Sequence, residues 1–189
     1  MNQIPRSHHN LIEEIIIDEE SLQKRIAELG AQISRDYQGK DLLLICILRG
    51  GVMFLTDLMR QISVPHNIDF MAVSSYGVGV RQSTGRVRIN FDLKTDIYDR
   101  NVLLVEDIID SGYTLKTVLE MLETRHPRSL RICTLLDKAE CRETDTPIDY
   151  CGFVIPDKFV FGYGLDIDEY YRDLPFIASV DPARYTPPE

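Results

Sequence analysis

The densest chemistry in this sequence lies in the run Val102-Leu103-Leu104-Val105-Glu106-Asp107-Ile108-Ile109-Asp110-Ser111-Gly112-Tyr113-Thr114-Leu115. An apolar, strand-like stretch ends in two carboxylates, Glu106 and Asp107. A third acid, Asp110, follows, and Ser111-Gly112-Tyr113-Thr114 then opens a helical pattern. In an open α/β sheet, ligands bind at the carboxyl ends of the strands. The free N–H groups and the dipole at a helix start favour an anion there, phosphate above all. Gly112 allows close backbone approach, and Ser111 and Thr114 add hydroxyl donors. A turn in which Asp110 or Ser111 merely caps the helix accounts for one acid. It does not account for three acids within five residues beside a buried strand. Such charges are costly unless hydroxyls, cations or a metal ion compensate them. Recognition of a phosphorylated polyhydroxyl compound is the reading that accounts for all of them.

Other stretches carry weaker signals when read alone. Leu48-Arg49-Gly50-Gly51 joins a strand to a helix. Its glycines permit a tight turn and Arg49 can fork onto phosphate oxygens, but an ordinary strand-to-helix turn reads the same way. Between Ser74 and Arg88, three glycines and Arg81, Arg86 and Arg88 crowd one segment, which a solvated hairpin would also explain. Lys138 follows an apolar run, and Phe159 and Phe161 alternate as in a half-buried strand. Cys46 and Cys133 sit inside apolar runs and read as buried free thiols. Cys141 and Cys151 complete a set without C-x-x-C spacing, and the four histidines are scattered, so zinc is not indicated.

The elements that must position these residues follow from the apolar pattern. Leu22, Ile26, Leu29 and Ile33 recur at helical spacing, predicting a helix over residues 19–37 with Asp18 as N-cap and Gly39 beyond its end. Leu42–Leu48, Val102–Val105 and Leu130–Leu136 are apolar without alternation, as strands buried on both faces are. Helical patterns at Val52–Ile62 and Leu115–Glu123 follow two of them. Further strand candidates are Asp69–Ser75, Val87–Phe91, Tyr150–Val154, Lys158–Phe161 and Phe176–Val180, before a proline-bearing tail. The alternation predicts an α/β fold with a mainly parallel sheet flanked by helices. The 189 residues, 44% hydrophobic and 27% charged, suit a single globular domain. The longest apolar run is seven residues, where a membrane-spanning helix needs about 20. Residues 1–9 lack the apolar core of a signal peptide, so a cytoplasmic location is expected. Net charge is 21 − 30 = −9. That is the wrong sign for a general nucleic-acid surface, so an anionic ligand must be met by local cations or a metal.

The Val102–Leu115 stretch resembles the phosphoribosyl-diphosphate (PRPP) signature of the type I phosphoribosyltransferases, and more narrowly the hypoxanthine-guanine phosphoribosyltransferase family. With the three supporting stretches, the resemblance runs from about residue 10 to residue 181. It implies the type I phosphoribosyltransferase fold over 1–189, with a core at about 38–140 and a small hood from about 1–18 and 150–189. It further implies Mg²⁺-dependent purine salvage, in which PRPP and hypoxanthine or guanine give IMP or GMP plus pyrophosphate. On this pattern Asp110 is the catalytic base. Glu106, Asp107, Ile108, Ile109, Ser111, Gly112, Tyr113 and Thr114 hold the sugar and its 5-phosphate. Arg49, Gly50, Ser75, Tyr76 and Arg172 meet pyrophosphate. Lys138, Phe159, Val160 and Asp166 form the purine pocket, and Glu106, Asp107 and Asp166 face the metal. The loop from Tyr76 to Arg86 would close over the reaction, and the Leu48–Arg49 peptide is often cis in the family. A homo-oligomer, dimer or tetramer, without nucleic-acid or membrane partners is expected. The alternatives are a phosphoribosyltransferase for another base, or a regulatory RNA-binding protein on the same scaffold.

Overall fold

The computed structural model describes residues 11–75, 87–180 and 185. In chain order the elements are β1 (Glu14–Ile17), α1 (Glu19–Asp36), β2 (Leu42–Leu48), α2 (Val52–Gln61), β3 (His66–Ser75), β4 (Val87–Phe91), β5 (Asn101–Ile109) and α3 (Tyr113–Glu123). They continue as β6 (Ser129–Asp137), a 3-10 turn at Ala139–Cys141, β7 (Tyr150–Val154), β8 (Val160–Phe161) and β9 (Ile177–Ser179). A six-stranded sheet runs β4-β3-β2-β5-β6-β7. It is parallel except for β4, which lies antiparallel on β3. A second, antiparallel sheet of three strands runs β1-β9-β8. No described helix is long and apolar enough to cross a membrane.

The continuous apolar strands have a physical cause. Along β2, Leu42, Leu44 and Cys46 join the core that contains α1 and α2, while Leu43, Ile45 and Ile47 join the core that contains α3. Successive strand residues point to opposite faces, and here both faces are covered. Each fully buried aliphatic side chain contributes about 1.5–3 kcal/mol relative to exposure. Helix α1 starts where its cap dictates, with Asp18 accepting the Ser21 N–H at 2.7 Å. Its predicted stripe of Leu22, Ile26, Leu29 and Ile33 is buried. Cys46 and Cys133 are buried free thiols.

Several boundaries move for identifiable reasons. β5 runs four residues beyond Val105, through both acids, because β6 stays paired with it as far as Ile109↔Asp137. Helix α3 opens at Tyr113 rather than Leu115, directly after Gly112. β1, too short for a periodic signal, forms because β9 accepts it as a partner. Tyr150–Val154 closes the edge of the large sheet against β6. The small sheet therefore draws on Glu14–Ile17, Val160–Phe161 and Ile177–Ser179, over a core of Phe161, Ile167, Leu174, Phe176, Ala178 and Val180.

One buried acid ties the β3 edge to the connection before β5. Asp69 accepts N–H bonds from Phe70 at 2.8 Å, Lys94 at 3.0 Å and Thr95 at 2.7 Å. Burial alone would raise its pKa, but these donors outweigh burial and the net shift is downward. A carboxyl whose folded pKa is depressed stabilises fully above its unfolded value of about 3.9, and that contribution is lost as pH falls through the folded value. Urea unfolding of Asp69→Asn at pH 7 should show a loss of about 1–3 kcal/mol, as expected for a mispaired buried acceptor. The gap to the parent protein should narrow in titrations below pH 4, about the unfolded value.

Candidate active site

β2 and β5 are neighbours whose chains depart to opposite sides, toward β3 and toward β6. Such a switch point leaves a crevice at the carboxyl ends of the two strands. β2 last pairs with β5 at Cys46↔Val105, whereas β6 follows β5 to its end. Glu106 and Asp107 therefore occupy β5 positions with no β2 partner. They open onto a cavity of about 910 Å³ lined by residues 106–115 together with Cys141, Glu143 and Asp157.

These two acids are electrostatically unsettled. Glu106 Oε2 is sealed from solvent and has no hydrogen-bond partner among the described residues. Burial, reinforced by the Asp107 charge, pushes its pKa well above the ordinary carboxylate range. Asp107 is pushed up to about 6, chiefly by burial and also by the charge of Asp166. The Ile108 N–H, at 2.9 Å from Oδ1, and the charge of Arg172 act in the opposite direction. The turn after β2 lies directly against Asp107, because a side chain on Gly50 would run into that carboxylate. The Leu48–Arg49 peptide is cis.

The residues expected to hold the 5-phosphate lie at the start of α3. Gly112 is left-handed at φ +86° and occupies the N-cap itself, so the cap position falls on neither Asp110 nor Ser111. The segment after β6 folds over this turn. Glu143 N–H donates to the Ser111 carbonyl at 3.0 Å, and the Tyr113 hydroxyl donates to Glu143 at 3.0 Å. Opposite stands Lys138, buried at the end of β6. Its ammonium donates to Asp157 Oδ1 at 3.2 Å and lies 3.6 Å from Asp110 Oδ2. The Lys138 and Cys141 hydrogen bonds hold the Asp157 carboxyl below its usual range.

A second group gathers at the hood. Arg172 Nη2 lies 2.8 Å from Asp166 Oδ1 and 2.9 Å from Glu169 Oε2, and Arg49 Nη2 lies 2.9 Å from Glu169 Oε1. Phe159 is half exposed, and Val160 is buried in β8. Neither lines the cavity described above. The Ser75 backbone ends β3 opposite Val87. Tyr76 and the expected closing loop lie outside the described residues. Asp157, Glu143 and Glu169 were not singled out as site residues, because the cations and backbone groups that give each a role are supplied only by the fold.

A family model described as a phosphoribosyl transferase domain matches residues 14–168. The chain belongs to the phosphoribosyltransferase family. Among similar family members, a hypoxanthine-guanine phosphoribosyltransferase from Mycobacterium avium is 52% identical over 180 residues, covering 92% of this chain and 88% of that protein. The hypoxanthine phosphoribosyltransferase of Escherichia coli strain K12 is 51% identical over 169 residues, covering 88% and 94%. The crystal structure of a hypoxanthine phosphoribosyltransferase from Staphylococcus aureus superposes with a TM-score of 0.92 at 45% identity, covering 98% of this chain and all of that one.

Gly112 gives the family cup a direct test. An added Cβ would strike Thr144 Oγ1, and the left-handed backbone disfavours any L side chain. Gly112→Ala should cost roughly 1–3 kcal/mol in denaturant unfolding, from conformational strain. It should also weaken binding of inorganic phosphate in calorimetric titration.

Proposed function

We propose that this chain works in purine salvage, transferring the 5-phosphoribosyl group of PRPP to N9 of hypoxanthine or guanine. The products are IMP or GMP and pyrophosphate. The observation that carries this reading is one cavity bordered by the glycine-led α3 start, two half-buried acids and Asp110, which lies beside the buried Lys138. A phosphate cup, hydroxyl acceptors, a base and a donor for a purine oxygen stand within reach of one ligand.

Ser111, Gly112, Tyr113 and Thr114 hold the 5-phosphate against the first turn of α3. Glu106 and Asp107 accept hydrogen bonds from the ribose hydroxyls, which would relieve the orphaned Glu106 oxygen, and the Ile108–Ile109 backbone frames the sugar. Displacement at the anomeric carbon builds positive charge on the sugar and negative charge on the departing diphosphate. Arg49, with the Gly50 backbone, Ser75, Tyr76 and Arg172, receives the diphosphate. Asp110 takes the proton at purine N7. Lys138 is only a donor, so it suits a 6-oxo group and opposes the 6-amino group of adenine. Phe159 stacks on the purine, and Val160 and Asp166 meet the base edge.

Mg²⁺ fits the donor set. Glu106, Asp107 and Asp166 offer only oxygen, and the sealed Glu106 oxygen favours a cation nearby. Among the described residues no three such side chains gather into one nest, so any ion there would be held by one or two of these carboxylates plus substrate oxygens. When bound, it would draw charge from the diphosphate. The charged substrates and products do not cross lipid unaided, which supports a cytoplasmic site of action, and a homo-oligomer accords with the resemblance.

A spectrophotometric assay with PRPP and magnesium should show turnover of hypoxanthine and guanine but not adenine, and none after chelation. Turnover of adenine alone, or of no purine, would sink the reading. Asp110→Asn should lower kcat by about 10²–10⁴-fold, the range for a positioned acid–base group, and near-normal turnover would remove Asp110 from that role.

A further inference from the structure

The two arginines assigned to the diphosphate are already bridged by a carboxylate. Glu169 places Oε1 2.9 Å from Arg49 Nη2 and Oε2 2.9 Å from Arg172 Nη2. A carboxylate spanning two guanidiniums offers them the paired anionic oxygens that a phosphate would offer. The backbone is shaped to deliver it. Asp168, Glu169 and Tyr171 have φ of 49°, 74° and 69°, a left-handed region that non-glycine residues rarely adopt. Asp166 pins this turn from inside, accepting the Glu169 N–H on Oδ2 at 2.8 Å while Oδ1 pairs with Arg172 at 2.8 Å.

The clasp is fixed at one end and loose at the other. Arg172 also donates Nη1 to the Gly164 carbonyl at 2.8 Å, so its guanidinium is anchored. Among the described residues the Arg49 guanidinium pairs only with Glu169, and the two side chains are 69% and 56% exposed. Exposed pairs of this kind contribute little to stability and exchange partners readily. A strained turn held for so weak a pair points to a purpose other than folding.

We propose that Glu169 is a positioning residue that stands in for the diphosphate. Its carboxylate holds Arg49 beside Arg172 when no anion is bound, yields Arg49 to the diphosphate, and competes to regain it when pyrophosphate leaves. The proposal rests on the reading above that Arg49 and Arg172 meet pyrophosphate. Removing the competing charge should tighten every diphosphate ligand and slow release of the product, a step that limits many enzymes.

Titration calorimetry of inorganic pyrophosphate with magnesium chloride, on the parent protein and Glu169→Gln, tests this directly. The variant should bind pyrophosphate about 3- to 10-fold more tightly, the scale of one or two exposed ion pairs, with the difference shrinking as salt rises. The KM for hypoxanthine should stay unchanged. In an Arg49→Gln background the Glu169→Gln effect should largely disappear, because its partner has gone. Equal or weaker binding by Glu169→Gln overturns the proposal, as does a gain that persists without Arg49. A parent protein that binds no pyrophosphate at all would instead strike the assignment of Arg49 and Arg172 on which the proposal stands.

Discussion

Two adjacent acids at the end of the central strand are the constraint around which this structure is built. Glu106 and Asp107 sit where an α/β protein normally places aliphatic side chains, and burial raises the pKa of both. Desolvating a carboxylate without a partner costs several kcal/mol, so a fold keeps such a pair only where something else repays it. The surroundings give these acids little internal relief. One oxygen of Glu106 has no partner among the described residues, and Asp107 has chiefly the Ile108 N–H and the distant charge of Arg172. On the function proposed above, a polyhydroxyl ligand with a cation would supply what the protein withholds.

The rest of the architecture can be seen as keeping that position open on one side and rigid on the other. β6 remains paired with β5 through Glu106↔Thr134 to Ile109↔Asp137, which fixes the backbone beneath the acids. β2 leaves at Cys46↔Val105, and a glycine brings its following turn against Asp107 where a Cβ would not fit. The order of strands thus converts a difference in pairing length into a crevice. The same strand leads through Gly112 into α3, so Glu106, Asp107 and the start of α3 belong to one continuous support. Alignment of the two sites costs no additional contact, because both ride on β5.

The large sheet was plain in the sequence, and the small sheet only in part. Apolar runs such as Leu42–Leu48 need no context, because a strand covered on both faces must be apolar throughout. The extension of β5 through Glu106 and Asp107 was hidden for the opposite reason. Charges break the pattern that marks a strand, while the pairing that sustains it comes from β6, some thirty residues away. β1 is shorter than any periodic signal and exists because β9 offers it a partner, while β8 and β9 fall inside the strand candidates Lys158–Phe161 and Phe176–Val180. Among site residues, those in contiguous motifs were visible. Asp157 and Glu169 were not, since each acquires its meaning from a cation elsewhere in the chain, Lys138 in one case and Arg49 with Arg172 in the other.

That last pattern explains how a chain of net charge −9 can serve an anionic reaction. The described cations assigned to the ligand are each held by a carboxylate outside the phosphate cup. Left alone, a buried ammonium such as Lys138 would be costly, and an unpaired arginine would wander among rotamers. Pairing removes both costs but also weakens the attraction for an incoming phosphate or purine oxygen. On the proposed assignments, the ligand would exchange partners with a carboxylate rather than fill a vacant positive pocket. Exchange of that kind trades raw affinity for geometric selectivity, because only a ligand that satisfies several such cations together recovers what it displaces. It would also favour turnover, since the displaced carboxylate stays beside the product, ready to take the cation back.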